Sequence, residues 1–300
     1  MWRNCCYKII LLILAISSTV YADKRSSFLA LKLGLSAEKS AFADSGAGFI
    51  TDDVTFVYTN PALVAELAKK FQLITSHTNY LRGIKYEHWG VNLPTKLTNI
   101  GINILYLYKD KIKVILEDAK EVESDFSIHD AICSISVGKK HTDFIDIGFS
   151  LKFFQEKLEK EIAFGFAVDF GLLYKNFWEI KDLNLGAALH NIGSSIKFIK
   201  EENLLPLNIR LGLTYKLWED TLVYNIDLDK PIDDDFSIKT GIRFKLFDKL
   251  SLILGYRKDK EIGLPLTLGI IINLKRLRFC YAFEEYSHLG TTHRLSIKIF

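Results

Sequence analysis

Charged side chains set singly among apolar neighbours are the residues of this sequence with chemistry to offer. Asp169 stands between Val168 and Phe170, Arg210 between Ile209 and Leu211, and Arg243 between Ile242 and Phe244. Arg257 follows Tyr256, and Arg294 precedes Leu295. In an extended chain successive side chains point to opposite faces, so each charge falls on one face and its apolar neighbours on the other. Asp146, Lys152, His190, Asn208, Lys216, Asp227, Lys239, Lys245, Glu284 and Lys298 join the same polar face by this rule. Basic groups outnumber acids in the set. It could line a polar, anion-favouring path. It could instead pair internally and hold a further segment in place, which is the reading favoured because mixed charges in a closed interior need partners. Asp52 and Asp53 are the acids expected to meet Arg243 or Arg257.

Catalytic constellations are missing from the sequence. There is no phosphate-binding glycine loop, dinucleotide glycine pattern, nucleophile elbow or HExxH, so the expectation is a non-enzyme without cofactors. His288 and His293 lie close, and Asp233, Asp234 and Asp235 form an acidic run, but neither has supporting ligands at useful spacing. Both are read as solvated loop residues, with no metal. A formal net charge of +3 is too mild to argue for nucleic acid.

The elements that must position the charges are strands. In 161–174, Ile162, Phe164, Phe166, Val168, Phe170 and Leu172 share one face, while Ala163, Gly165, Ala167, Asp169 and Gly171 share the other. Stretches 144–155, 206–217 and 236–246 repeat the pattern. Strands are expected at 71–79, 82–93, 98–108, 126–138, 144–155, 161–174, 182–191, 206–217, 221–229, 236–246, 250–258, 264–273, 276–285 and 291–300. Most run about nine to twelve residues, matching the ~9–11 that cross a bilayer at a tilt. A soluble sandwich would turn the apolar face inward, and a membrane barrel would turn it to lipid. Three features favour the barrel. The strand number is even. Connections alternate between short (94–97, 218–220, 248–249, 274–275) and long (109–125, 192–205), with 175–181 the exception. Aromatics gather at strand ends, as with Tyr106, Tyr108, Trp178, Trp218 and Phe300. An open sheet in lipid would leave unpaired backbone at several kcal/mol per group. The final stretch, ending in Phe300, is therefore expected to close the barrel against 71–79.

The expected architecture is all-β: a closed antiparallel transmembrane β-barrel of about fourteen strands with an N-terminal hatch containing a short helix. Residues 1–22 read as a cleaved secretory signal, with Arg3 and Lys8 before the apolar run 9–16 and Val20-Tyr21-Ala22 before the cut. That implies export to the cell outer membrane, with membrane lipid and the outer-membrane insertion machinery as partners. Residues 23–70 form the hatch and 71–300 the barrel. In the hatch Asn60 is a good helix cap, Pro61 suits the first helical position and Ala62 follows it, with Lys69 and Lys70 at the far end. Cys133 and Cys280 are read as small packed side chains, with one long-range disulfide left open.

The hatch segment AFADSGAGFITDDVTFVYTNPALVAEL (41–67) resembles the N-terminal motif of the PorV/PorQ family of outer-membrane proteins. DFGLLY (169–174), HNIG (190–193), LLPLNIRLGLTY (204–215) and LILGYR (252–257) are similar to later family stretches. YAFEEYSHLGTTHRLSIKIF (281–300) resembles its C-terminal block. Thr59 and Leu63 stand where the family has Trp and Gly, and Phe300 falls out of step with Ile297 and Ile299. The resemblance implies a FadL-like barrel that passes hydrophobic or amphiphilic small molecules. Its alternative is a PorV-like barrel binding secretion-system proteins, for type IX secretion or surface attachment.

Overall fold

The computed structural model describes residues 28–110, 113–115, 121–123, 127–159, 161–193, 196–198, 201–258 and 263–300. The expected signal segment 1–22 lies outside them. Fourteen strands form one closed antiparallel barrel. They are β1 (Gln72–Asn79), β2 (Lys85–Pro94), β3 (Asn99–Lys109), β4 (Ile128–Lys140), β5 (Ile145–Leu158), β6 (Glu161–Tyr174), β7 (Leu183–Ile192), β8 (Asn208–Leu217), β9 (Leu222–Pro231), β10 (Ser237–Phe247), β11 (Leu250–Arg257), β12 (Leu266–Asn273), β13 (Leu277–Glu285) and β14 (Thr291–Ile299). Each pairs with its neighbours in sequence. β14 closes on β1 from Leu73 opposite Ile299 to Asn79 opposite His293. Two short hairpins, Lys113–Ile115 with Glu121–Glu123 and Ile196–Phe198 with Glu201–Asn203, sit within the two longest connections.

The alternation sorts the two faces. Phe153, Phe164, Phe166, Phe170 and Leu268 on the outside are each at least half exposed, while Lys152, Asp169, Asp227 and Lys298 on the inside are buried. A water-soluble barrel would not leave such an apolar exterior bare; lipid removes the conflict. The short connections 95–98, 141–144, 218–221, 248–249 and 274–276 lie at one rim, with 175–182 again the longer member. The longer loops lie at the other, together with the two-residue connection between β5 and β6. By the usual asymmetry the short rim is periplasmic and the loop rim external.

Residues 28–70 fill the lumen. They carry one five-residue α-helix, α1 (Ala37–Ala41), and 3-10 turns at Leu29–Lys32, Val54–Tyr58 and Pro61–Glu66. Ser36 caps α1 by accepting a hydrogen bond from Lys39 N. Phe42, Phe49 and Phe56 form a buried aromatic knot with ring centroids 5.1–6.2 Å apart. Ile74, Ile253, Ile271 and Cys280 of the wall pack against it. Burial of each such ring contributes about 1.5–3 kcal/mol. Two wall glycines admit the plug: a β-carbon at Gly186 would collide with the Ala47 backbone, and one at Gly148 with Pro61. Cys133 and Cys280 are free thiols.

The helix expected to run from Asn60 toward Lys70 is shorter and tighter than the sequence suggests. It is a 3-10 segment ending at Glu66. The wall supplies the reason. Asn99 Nδ2 donates to the carbonyls of Val64 (3.3 Å) and Leu67 (2.7 Å), and Asn92 Nδ2 donates to those of Ala68 and Lys70. Those carbonyls are the ones a longer helix would direct along its own axis.

Candidate functional site

The hatch residues singled out by sequence tie the plug together and to the wall. Asn60 Oδ1 accepts from Ala62 N at 3.0 Å, and its Nδ2 donates to Ala47 O (2.8 Å) and, on the wall, Leu172 O (3.0 Å). Pro61 and Ala62 are buried against β5 and β6, facing Gly148 and Gly171. Asp53 caps the 3-10 turn at Val54 by accepting from Thr55 N and Thr55 Oγ1. Asp52 pairs with Lys298 (2.8 Å) and Arg278 (3.2 Å).

Neither Asp52 nor Asp53 meets Arg243 or Arg257, which corrects the expected pairing. Arg243 binds Asp220 (2.8 Å) and approaches Glu38 (3.7 Å). Arg257 approaches Asp44 (3.4 Å) and Glu284 (3.8 Å). Asp52 sits at the periplasmic rim beside β13 and β14. Arg257 ends β11 at the opposite rim, and Arg243 lies several strands away. Phe300 follows the last paired residue, so Leu73–Asn79 and His293–Ile299 make the closure. The Phe300 ring instead forms a platform under the cations of Lys70, Lys298 and Arg278, at 4.6, 4.7 and 5.6 Å.

Other inward charges form local groups. Asp169 takes Lys152 at 2.7 Å, His190 Nδ1 at 3.1 Å and the Asn191 N–H at 2.8 Å. Here the β6–β7 register slips, with Val168 opposite Ile192 but Phe170 opposite Leu189. The bulge sets both His190 and Asn191 into the lumen, where strict alternation allows one. Arg210 and Lys239 share Asp229, with Arg210 Nη2 at 2.7 Å and Lys239 Nζ at 2.6 Å. Asp227 accepts from Gly46 N (2.9 Å) and Ala47 N (3.1 Å) of the plug. Arg294 contacts Glu284 at 3.4 Å and lies over the Tyr86 ring. At the periplasmic rim Glu66 is gripped by Lys175 (2.6 Å) and Lys140 (2.8 Å) from two turns or strand ends. Burial pushes the Glu66 carboxyl up, but hydrogen bonds from Lys140 and Lys175 outweigh it and hold it below 4.5.

Between plug and wall, at the loop rim, lies a cavity of about 210 Å³. Lys39, Asp44 and Tyr58 face it from the plug, and Lys152, Arg210, Asp229 and Lys239 from the wall. Few of its lining residues are apolar. The Lys39 ammonium is buried, lies 5.4 Å from the Tyr58 ring centroid, and makes no hydrogen bond or ion pair with the described residues. Burial pulls it down to about 8, with Asp44 pushing back and Arg210, Lys239 and Lys152 adding to the drop. Burial raises the Asp44 carboxyl, but Lys39 and Arg257 outweigh it and leave it below its usual range.

Sequence reasoning missed Lys39, Asp44, Glu38 and Asp229. Asp229 shares the face of Asp227 two residues away and was findable by alternation. The plug residues have no period that would say where they point. Among the described residues no three His, Cys, Asp or Glu side chains are placed to hold a metal.

No family model and no curated protein matches the chain. Solved structures do. The toluene transporter TodX of Pseudomonas putida superposes with a TM-score of 0.60 at 13% identity, over 88% of this chain and 96% of that one. The CymD monoaromatic hydrocarbon channel gives 0.62 at 9% identity, over 92% and 97%. A Pseudomonas aeruginosa FadL homologue gives 0.59 at 10% identity, over 88% and 98%. At these identities the likeness is one of fold: a FadL-like closed barrel of fourteen strands.

Proposed function

We propose that this chain is a non-enzymatic outer-membrane barrel passing hydrophobic or amphiphilic small molecules, with residues 28–70 as the gate. The supporting observation is the plug's attachment. It threads the lumen on an apolar core packed against the wall, and its periplasmic end is held by ion pairs that can exchange without unfolding the wall. Asp52 with Lys298 and Arg278, and Glu66 with Lys140 and Lys175, hold the periplasmic end. Structures of the same fold include a toluene transporter and a monoaromatic hydrocarbon channel. The PorV-like docking alternative has only the residue blocks of the sequence as its support.

The test is uptake of labelled decanoate and toluene by cells of a double-membraned host whose own barrel of this fold is deleted. This chain should raise uptake of at least one compound. The Asp52→Ala, Glu66→Ala double variant, with a looser plug, should raise it further. Uptake unchanged by either chain, with both barrels folded in the outer membrane, would overturn the proposal.

A further inference from the structure

The external cavity has features that passage of apolar molecules does not use. A lumen path for hydrocarbons needs no buried ammonium without a partner. Yet Lys39, 4% exposed, directs one into a cavity of about 210 Å³. Its cationic neighbours are already engaged: Lys152 by Asp169, and Arg210 by Asp229. A buried charge left uncompensated is expensive, whereas a paired and hydrogen-bonded one is sustained. The cavity therefore offers one ammonium with no direct hydrogen-bond or ion-pair partner among the described residues, Asp44 acting on it only at a distance. Beside it, at the open side of the cavity, stand the carboxylates of Asp234 and Asp235 as acceptors.

We propose that this cavity binds a small hydrophilic monocarboxylate, its carboxylate on the Lys39 ammonium and its hydroxyl donors turned to the surrounding acidic side chains. One free cation among several carboxylates suits a single negative charge and opposes two. An apolar cavity of ~150 Å³ accommodates benzene, so this one has room for about eight to ten non-hydrogen atoms. That excludes a long tail unless the plug moves. The lining argues the same way, since Asp234 and Asp235 at the outer side would be stripped of water by a hydrocarbon chain. The site needs only the plug in its observed place, so it goes beyond the passage reading and does not rest on it.

The experiment is calorimetric titration of the full-length, detergent-folded protein with four probes. Threonate has both the charge and the hydroxyls. Butyrate has the charge alone, erythritol the hydroxyls alone, and decanoate the charge with a tail. Threonate should bind tightest and erythritol should not bind. Lys39→Met should weaken threonate about tenfold or more, as expected for losing a charged hydrogen bond. Lys39→Arg should retain binding to within about threefold. Leu33→Trp, which fills the cavity and leaves the ammonium in place, should also abolish it, and it serves if Lys39→Met does not fold. Equal threonate binding by the parent, Lys39→Met and Leu33→Trp overturns the site, as does no binding to the parent. Decanoate binding more tightly than threonate overturns the hydrophilic assignment and makes the ligand an amphiphile's head group.

Discussion

Asp229 holds two cations in one buried place. Arg210 reaches it through a guanidinium nitrogen at 2.7 Å and Lys239 through its ammonium at 2.6 Å, and all three lie on inward faces of β8, β9 and β10. Arg210 also donates to Asp44 O at 3.1 Å, so the group joins three strands to the plug. In Asp229→Asn the cations face a neutral amide, and removing one partner of a buried pair typically costs about 3–5 kcal/mol. We expect that loss in denaturant unfolding of the detergent-folded protein, with partial recovery in Asp229→Asn, Arg210→Met. A variant within about 0.5 kcal/mol of the parent would show that the network carries no stability. Alternation alone placed Asp169, Arg210, Arg243, Arg257 and Arg294 on the lumen face. It could not name their partners, and two of those, Glu38 and Asp44, come from a segment without a period. Nor could it foresee that a bulge brings Asn191 inside beside His190.

The strands were legible because lipid outside and a mainly polar lumen face impose alternation on most of the wall, Ile74, Ile253 and Ile271 being inward apolar exceptions. Expected limits such as 126–138 and 206–217 differ by about two residues from Ile128–Lys140 and Asn208–Leu217, within the usual slack of element ends. The plug obeys no such rule. Its conformation is set by wall amides and carboxylates distant in sequence, which is why the helix after Asn60 ends early. Its periplasmic end should respond to acid. The Glu66 carboxyl is held below 4.5 when folded, so its contribution is fully present above pH 4.5 and is lost as pH falls through the lower folded value. Asp52, where burial is outweighed by Lys298 and Arg278, is depressed too and acts in the same direction. Tryptic cleavage after Lys69 and Lys70 reports release of this end when samples are acidified, returned to neutral pH and pulsed with protease before the plug reseats. Cleavage should rise only for acid exposures below pH 4.5, and Glu66→Gln should shrink the step to the part Asp52 supplies. An identical step in both chains would remove Glu66 from the latch.

Closure is a property of the whole molecule, because no strand of a barrel in lipid can be left with an open edge. β14 carries that burden twice: Ile297 pairs with Phe279 of β13 on one side and with Thr75 of β1 on the other. A proline there removes a ladder donor and disturbs pairing, at several kcal/mol for each backbone group left unpaired in hydrocarbon. Phe300 sits one residue past the last pair, its N–H bonded to Arg276 O at 3.2 Å and its ring under three cations. The two positions therefore separate closure from the terminal aromatic. Ile297→Pro should fail to reach the compact, heat-modifiable form on gels after refolding into detergent micelles. Phe300→Ala should reach it and lose only the platform, seen as easier cleavage after Lys70. If Phe300→Ala fails in vitro as Ile297→Pro does, the ring and not the strand pairing completes the barrel. If it folds in micelles but is depleted from the outer membrane of cells, the aromatic serves delivery, even out of step with Ile297 and Ile299.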